Sequence, residues 1–271
     1  MTKKILITGT QRDAGKTTIA CSILSFLNKN NISSCGFKPK AGNSFWYDFD
    51  IISETLKQGR LYGNDAKQLK KYSKTKIQEE NISPIHRLWT EKITPRYGQG
   101  VPGFILDRIT LDKKTLIIKN EDSFNKFSGN SLFDKIMNES EIKTVSNLKE
   151  YNKLIKKYYN KAIKTNHDKH IKNHDAIIYE SYRDIALPWK NLSEVDLVLT
   201  VKPWIIYVYN GRRYLKSVEM NQKYNEVKTD TVTDFIKPIG KIEIPALTED
   251  KVEKIQENKR YNRFLREISL D

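Results

Sequence analysis

Lys4-Ile5-Leu6-Ile7-Thr8-Gly9-Thr10-Gln11-Arg12-Asp13-Ala14-Gly15-Lys16-Thr17-Thr18 is the stretch on which the reading of this chain turns. The apolar run Ile5 to Ile7 has the length and composition of a buried parallel strand. A polar loop containing glycine follows, and then Ile19, Ile23, Leu24 and Leu27 recur at helical spacing. A loop between such a strand and helix aims its backbone N–H groups, and the positive end of the helix dipole, at an anion. Lys16 adds a mobile cation suited to β- and γ-phosphates, and the Thr17 hydroxyl is a magnesium ligand of the right reach. A Gly-Lys-Thr turn could also be a helix cap and nothing more, but a cap needs neither the strand before it nor the amphipathic helix after it.

The order strand, loop, helix is that of a P-loop in a displaced form. Thr10 stands where the strict pattern has its first glycine, and Gly9 lies one residue earlier. Thr10, Gln11, Arg12, Asp13, Ala14, Gly15, Lys16, Thr17 and Thr18 are therefore the expected nucleotide-binding residues.

Composition narrows the classes around this motif. With 38% hydrophobic and 30% charged residues, the 271-residue chain is lean in apolar surface but able to bury a core. No apolar run approaches the ~20 residues needed to span a membrane, and the first strand starts too early to leave room for a signal peptide. Cys21 and Cys35 are far apart and make no metal-binding pattern by spacing, so a reducing cytoplasm is the expected location. The net charge of +15 fits a surface for nucleic acid or another polyanion. It fits equally a lysine-rich chain with solvated faces, which is the favoured reading because the basic residues are interspersed with Asp and Glu. The densest run, Lys153 to Lys164, reads as the outer face of a helix.

Outward from the loop, Ser34 to Gly42 reads as a second short strand ending in a loop, with Pro39 closing it. The carboxyl ends of parallel strands face the ligand crevice, which places Lys38 near a bound phosphate unless it is an ordinary surface lysine. Helices are predicted over Phe45–Gln58 and Ala66–Tyr72, where Asn64 or Asp65 could simply be a cap. Asn81 to His86 reads as extended, Pro95 to Gly103 as a loop, and Phe104–Asp107 with Lys114–Ile118 as a small hairpin. A polar linker from Asn120 to Asn130 and a helix over Leu148–Lys164 follow. His174 to Glu180 is a second clear buried strand, and Val195 to Val201 a third. Glu180, acidic at a strand's carboxyl end, suits a metal ligand or its water, and equally a capping carboxylate. Ile205 to Leu215 carries a hairpin signal around Asn210-Gly211. Its Tyr and Arg residues fit cross-strand pairs better than base stacking. Glu249 to Ile268 reads as a charged terminal helix.

Strands separated by helical patterns predict an α/β fold, a mostly parallel sheet with helices on both faces. The expected organisation is a single P-loop NTPase domain over residues 1–271 with an inserted hairpin and helix segment at about 94–159.

Several of these pieces fall in the order of the dethiobiotin synthetase-like family of P-loop enzymes, which groups with the cobyrinate amidases and the MinD and ParA ATPases. Gly9 to Thr18 resembles the family's displaced P-loop, and Phe37-Lys38-Pro39 resembles its Tyr-Lys-Pro segment. Asn64-Asp65-Ala66 is similar to its Asn-Ser-Asp-Ala, Asn81-Ile82-Ser83-Pro84 to its Val-Asn-Pro stretch, and Glu180 stands at its metal-binding glutamate. Pro238 to Gly240 and Pro245 to Leu247 are similar to its last strand and nucleotide-side loop. The resemblance implies ATP and Mg²⁺ as cofactors, Lys16 and Lys38 as catalytic cations, and Thr17, Asp65 and Glu180 as metal ligands. It also implies a homodimer, the common state of the family. The departures lie on the acceptor side. Ser181-Tyr182-Arg183-Asp184 replaces a glycine-rich loop, Gly42 replaces a small hydroxyl residue, and the 94–159 segment has no family counterpart. Gln11 stands where the MinD and ParA switches carry an additional lysine.

Two functional expectations result. The first is an ATP- and magnesium-dependent ligase or kinase that moves the γ-phosphoryl group to a small anionic acceptor, a carboxylate or carbamate, with Asp13 and Arg183 placed to orient it. The second is an ATPase switch that binds nucleic acid through the basic surface. Neither involves a membrane.

Overall fold

The computed structural model describes residues 2–90, 103–112, 114–127, 129–221, 226–244 and 252–270. The strands are β1 (Lys3–Gly9), β2 (Ser34–Phe37), β3 (Lys40–Ser44), β4 (Ile85–Trp89), β5 (Phe104–Thr110) and β6 (Thr115–Asn120). They continue as β7 (Glu141–Val145), β8 (Ala176–Glu180), β9 (Leu197–Lys202), β10 (Ile205–Asn210) and β11 (Gly240–Glu243). The helices are α1 (Lys16–Lys29), α2 (Phe49–Lys57), α3 (Asn64–Tyr72), α4 (Glu79–Ile82) and α5 (Glu121–Asn125). They continue as α6 (Asp134–Asn138), α7 (Leu148–Asn173), α8 (Gly211–Asn221), α9 (Thr229–Thr233) and α10 (Lys259–Leu270).

These elements form two compact units. The first comprises Met1–Pro39, Gln68–Ile77 and His170–Asp271, and the second Lys40–Lys67 and Gln78–Lys169. The stretch expected as an insertion, about 94–159, falls within the second unit, which also takes in 40–67.

The first unit holds a six-stranded sheet in the order β11-β10-β9-β1-β8-β2. Strands β2, β8, β1 and β9 are parallel neighbours, while β10 and β11 continue the sheet antiparallel. The central strands are near-continuous apolar runs, as strands buried on both faces must be. Ile5, Leu6, Ile7, Ile177, Ile178, Val198 and Leu199 are all fully buried. The apolar stripe of α1 packs on β1, β2 and β8. Gly36 in β2 is required by close packing, since a Cβ there would lie 2.7 Å from a Leu69 methyl. Sequence spacing and structure agree here because buried parallel strands carry a composition signal that needs no partner to interpret.

The second unit holds a mixed five-stranded sheet, β3-β4-β5-β6-β7. The Phe104–Asp107 and Lys114–Ile118 hairpin is present as β5 and β6, which pair antiparallel. Its core gathers Ile52, Leu56, Leu61, Leu88, Ile105, Leu106, Ile117, Phe133 and Ile136. Phe45 joins this core through a 5.8 Å stacked contact with Phe133.

The loop expected to follow Pro39 is strand β3, which belongs to the second sheet, and four further expectations are corrected. Asn210-Gly211 is not a hairpin turn: β10 ends at Asn210, and α8 begins at Gly211. The Asn210 side chain accepts a hydrogen bond from the Arg213 backbone N–H at 3.1 Å, which is N-capping. Glycine is needed at 211 for space, because a Cβ there would lie 1.8 Å from the Val195 carbonyl oxygen. The hairpin lies one strand earlier, between β9 and β10, and turns at Pro203-Trp204 with Trp204 at φ 69°. Second, the Asn120–Asn130 linker contains α5, capped by the Asn120 side chain on the Ser123 N–H. Third, the segment expected to be extended at 81–86 begins in the helical turn α4 before β4 starts at Ile85. Fourth, the terminal helix is two pieces, a 3₁₀ turn at Val252–Glu257 and then α10.

The helix read as 148–164 runs on to Asn173, and its lysines at 153, 156, 157, 161 and 164 are exposed, as a solvated face requires. The loop expected at Pro95–Gly103 lies outside the described residues except for Gly103, and so does the Pro245–Leu247 segment. Among the described residues no helix is long and apolar enough to cross a membrane.

Candidate active site

The site is built at the carboxyl ends of three adjacent parallel strands. In register, Ile7 of β1 faces Glu180 of β8, and Tyr179 of β8 faces Phe37 of β2. The loop after β1, Lys38 after β2 and the last residue of β8 therefore share one end of the sheet. That end is where open α/β sheets bind ligands.

The loop itself is shaped for an anion. Asp13 and Gly15 have positive φ values of 57° and 91°. Left-handed residues in such a turn are how successive N–H groups come to form an anion-binding concavity. Gly15 is the N-cap of α1 and brings no capping side chain, and the first turn of α1 carries no acidic residue. The amide donors of that turn are thus not covered by a carboxylate of their own helix.

Gly9 explains the displaced glycine of the motif. A Cβ at this position would lie 3.1 Å from Cδ of Lys16 and 3.2 Å from the Val201 carbonyl. The glycine lets the lysine stem lie back over the end of β1, where its ammonium donates to the Gln11 carbonyl at 2.9 Å. Lys16 is only 6% exposed. Gln11 has its carbonyl under that ammonium, Thr10 is half-buried, and Arg12 and Asp13 complete the exposed rim, paired at 3.6 Å. Ala14 is buried, and Thr18 sits in the first turn of α1.

Glu180 ties the three segments together. It is 1% exposed, and one of its oxygens, Oε1, accepts from Thr17 Oγ1 at 2.9 Å and from Lys38 Nζ at 2.7 Å. Lys38 is not a surface lysine: it is buried and paired with this carboxylate. Such a pair is held in place by its hydrogen bonds more than it is stabilising in itself. Thr8 and Thr200, on the neighbouring strands β1 and β9, close the underside with a buried hydroxyl contact at 2.9 Å. The sequence offered no signal for that pair beyond the threonines' place at strand ends.

The loop after Glu180 differs from a glycine loop in chemistry while retaining one of its backbone features. Arg183 is exposed and takes φ 50°, a conformation that glycine adopts freely and that costs another residue about 1–2 kcal/mol. The loop is pinned by Tyr182 on Glu226, by Lys228 on Asp184 at 3.1 Å, and by the Thr229 N–H on the Asp184 carbonyl at 2.7 Å. Asp65 stands in the first turn of α3, within the second unit.

The residues present fit a magnesium-bound nucleotide. A left-handed turn, a folded-back lysine, and a threonine hydroxyl sharing a buried carboxylate are what phosphate and a hard, oxygen-seeking cation require.

Fold and loop together make this an α/β protein with a P-loop NTPase-like fold. The chain is similar to the ATP-dependent dethiobiotin synthetase BioD of Wigglesworthia glossinidia brevipalpis, with 27% identity over 124 residues, 45% of this chain and 48% of the relative. It is also similar to the ATP-dependent dethiobiotin synthetase BioD of Idiomarina loihiensis, with 28% identity over 107 residues, 40% of this chain and 43% of the relative. The match thus spans less than half the length of either curated relative, and it supports a distant P-loop NTPase-like relationship. No protein-family model matches the chain.

Proposed function

We propose that this protein is an ATP- and Mg²⁺-dependent enzyme of the synthetase or kinase type, which transfers the γ-phosphoryl group of ATP to a small anionic acceptor. A carboxylate or carbamate activated for ring closure or amide formation is the favoured class, as the motif resemblance implies; the similar relatives are named ATP-dependent dethiobiotin synthetases. The observation that carries the reading is the sharing of Glu180 Oε1 between the P-loop threonine and Lys38. A phosphate loop alone would serve a switch. A second, buried lysine aimed at the same carboxylate is suited to an enzyme that must neutralise a transferring phosphoryl group.

In this reading the amides of Thr10 to Thr18 and the Lys16 ammonium hold the nucleotide's phosphates. Thr17 and Glu180 would hold Mg²⁺, which would supply charge neutralisation on the transferring phosphoryl oxygens; Asp65 enters as a metal ligand by the resemblance alone. Lys38 provides the second cation on the acceptor side, so catalysis is positioning plus electrostatics. Asp13 and Arg183, exposed on left-handed turns at the rim, are the proposed contacts for the acceptor. A homodimer is part of the proposal, by analogy with the family.

Lys38→Ala separates chemistry from binding. Steady-state assays are expected to show kcat reduced by about a hundredfold or more, with nucleotide affinity changed little. Unchanged turnover would remove Lys38 from the mechanism. The competing switch reading draws on the net charge of +15. It requires nucleic-acid binding that is gated by ATP and falls steeply with salt. A gel-shift titration at two salt concentrations, with and without ATP, is expected to show no such gating.

A further inference from the structure

Cys35 and two histidines, remote in sequence, meet inside the first unit. Cys35 lies on β2, His170 is in the last turn of α7, and His174 is one residue beyond that helix. Cys35 Sγ is 3.2 Å from His170 Nδ1. One ligand atom from each of the three residues lies within 4.8 Å of the others, and all three side chains are buried. The spacing of four residues between the histidines puts both rings on one side of the helix end. We propose that Cys35, His170 and His174 form a binding site for a divalent cation that prefers thiolate and imidazole, Zn²⁺ by its chemistry. The proposal does not rest on the nucleotide site.

The donor set decides the ion. One sulfur and two imidazole nitrogens are a borderline-soft set, which suits Zn²⁺ and rejects the hard cations Mg²⁺ and Ca²⁺. One ligand pair is already close to the separation of a loaded site. Bonds of about 2.3 Å to sulfur and about 2.0 Å to nitrogen at a tetrahedral angle place S and N about 3.6 Å apart, near the 3.2 Å already present between Cys35 and His170.

The histidine farther from the sulfur is already oriented. His174 Nδ1 lies 3.0 Å from the His170 carbonyl oxygen. A ring that donates Nδ1–H to a backbone carbonyl presents Nε2 as the lone pair, the outer-shell arrangement seen for metal-bound histidines. The His170 ring packs against the Phe37 ring, with the two ring centres 4.9 Å apart.

Burial pushes the Cys35 thiol up, so without a metal it keeps its proton. On loading, the Sγ–H bond breaks, the S–Zn bond forms and the proton leaves to solvent. Entry is from the His174 side, because His174 is 7% exposed while Cys35 and His170 are fully buried. A water takes the fourth position. The ion would clamp β2, which leads directly into Lys38, to the end of α7.

The test uses the full chain, stripped of metal by a chelator and kept reduced, with Co²⁺ as the probe and Zn²⁺ as competitor. Cobalt is expected to give a thiolate-to-metal charge-transfer band in the near ultraviolet that saturates at one equivalent and is abolished by Zn²⁺. Nothing in the phosphate loop can give that band, since it contains no sulfur. Cys21→Ser should retain it. His174→Gln should bind at least about tenfold more weakly. In the wild type, Zn²⁺ should shift the imidazole resonances of two of the four histidines, a readout that does not depend on any variant folding. The proposal is overturned by a folded wild type with no band, by loss of the band in Cys21→Ser, by a His174→Gln variant that binds as tightly as wild type, or by unshifted imidazoles.

Discussion

Lys16→Ala is expected to abolish ATP-dependent turnover, by at least about a hundredfold, the scale on which loss of one charge-stabilising group is felt in such sites. The lysine cannot be replaced by its neighbours. Its stem is packed over Gly9 and its ammonium is held on the Gln11 carbonyl at 2.9 Å, so its position is fixed before any ligand arrives. Lys16→Arg is expected to fail nearly as badly, because Lys16 is only 6% exposed and a guanidinium needs more room over the strand end. Far-UV circular dichroism of both variants should match the wild type, since the ammonium's contact with the Gln11 carbonyl lies in the loop and not within a helix or strand. A Lys16→Ala enzyme with turnover within a fewfold of wild type would mean the loop is not a phosphate site.

The largest stability effect is expected in the second unit, at Asp107. This fully buried carboxylate sits opposite Arg87 in the β4–β5 register. It accepts a two-pronged pair from the guanidinium, with both contacts at 2.7 Å, and further hydrogen bonds from Tyr151 at 3.2 Å and Tyr159 at 2.5 Å. The guanidinium is also stacked, with Trp89 at 4.8 Å and Phe104 at 5.0 Å from its carbon. Asp107→Ala removes the group that answers a half-buried cation and two phenols at once. Breaking a buried pair from one side costs about 3–5 kcal/mol, and urea unfolding should show that loss. Asp107→Asn keeps the shape and one acceptor oxygen, which can still take the Arg87 or the tyrosine donors but not both sets, and should lose less. A change below about 1 kcal/mol in Asp107→Ala would show that water replaces the carboxylate, which the burial argues against.

The phosphate loop and its flanking strand and helix were legible because each carries a signal that needs no partner. An apolar run, a Gly-Lys-Thr turn and residues at helical spacing are all local. The position of Lys38 at the strand's carboxyl end was legible for a related reason: Pro39 ends the strand and so fixes which end the lysine occupies. Its burial on Glu180 was not, because no local pattern distinguishes a buried lysine from an exposed one.

Of the second sheet, the β5–β6 hairpin was legible and its outer strands were not. Strand β3 is Lys-Ala-Gly-Asn-Ser, a sequence with little β preference that is held in place by parallel pairing with β4. At Asn210-Gly211 the signal was real but ambiguous. Asparagine serves both as a turn residue and as an N-cap, and here the strand before it already pairs with β9, leaving a helix to follow. The Cys35, His170 and His174 cluster shows the limit most plainly. The two histidines stand at helical spacing in the sequence, but the sulfur that completes the set comes from a strand 135 residues away.

The most direct test of the central claim is titration calorimetry of ATP into the wild-type chain in the presence of Mg²⁺. The account predicts saturable binding at one nucleotide per chain that is lost in Lys16→Ala and weakened when Mg²⁺ is withdrawn. No heat of binding at any temperature tried, or binding indifferent to both Lys16 and the metal, would contradict it.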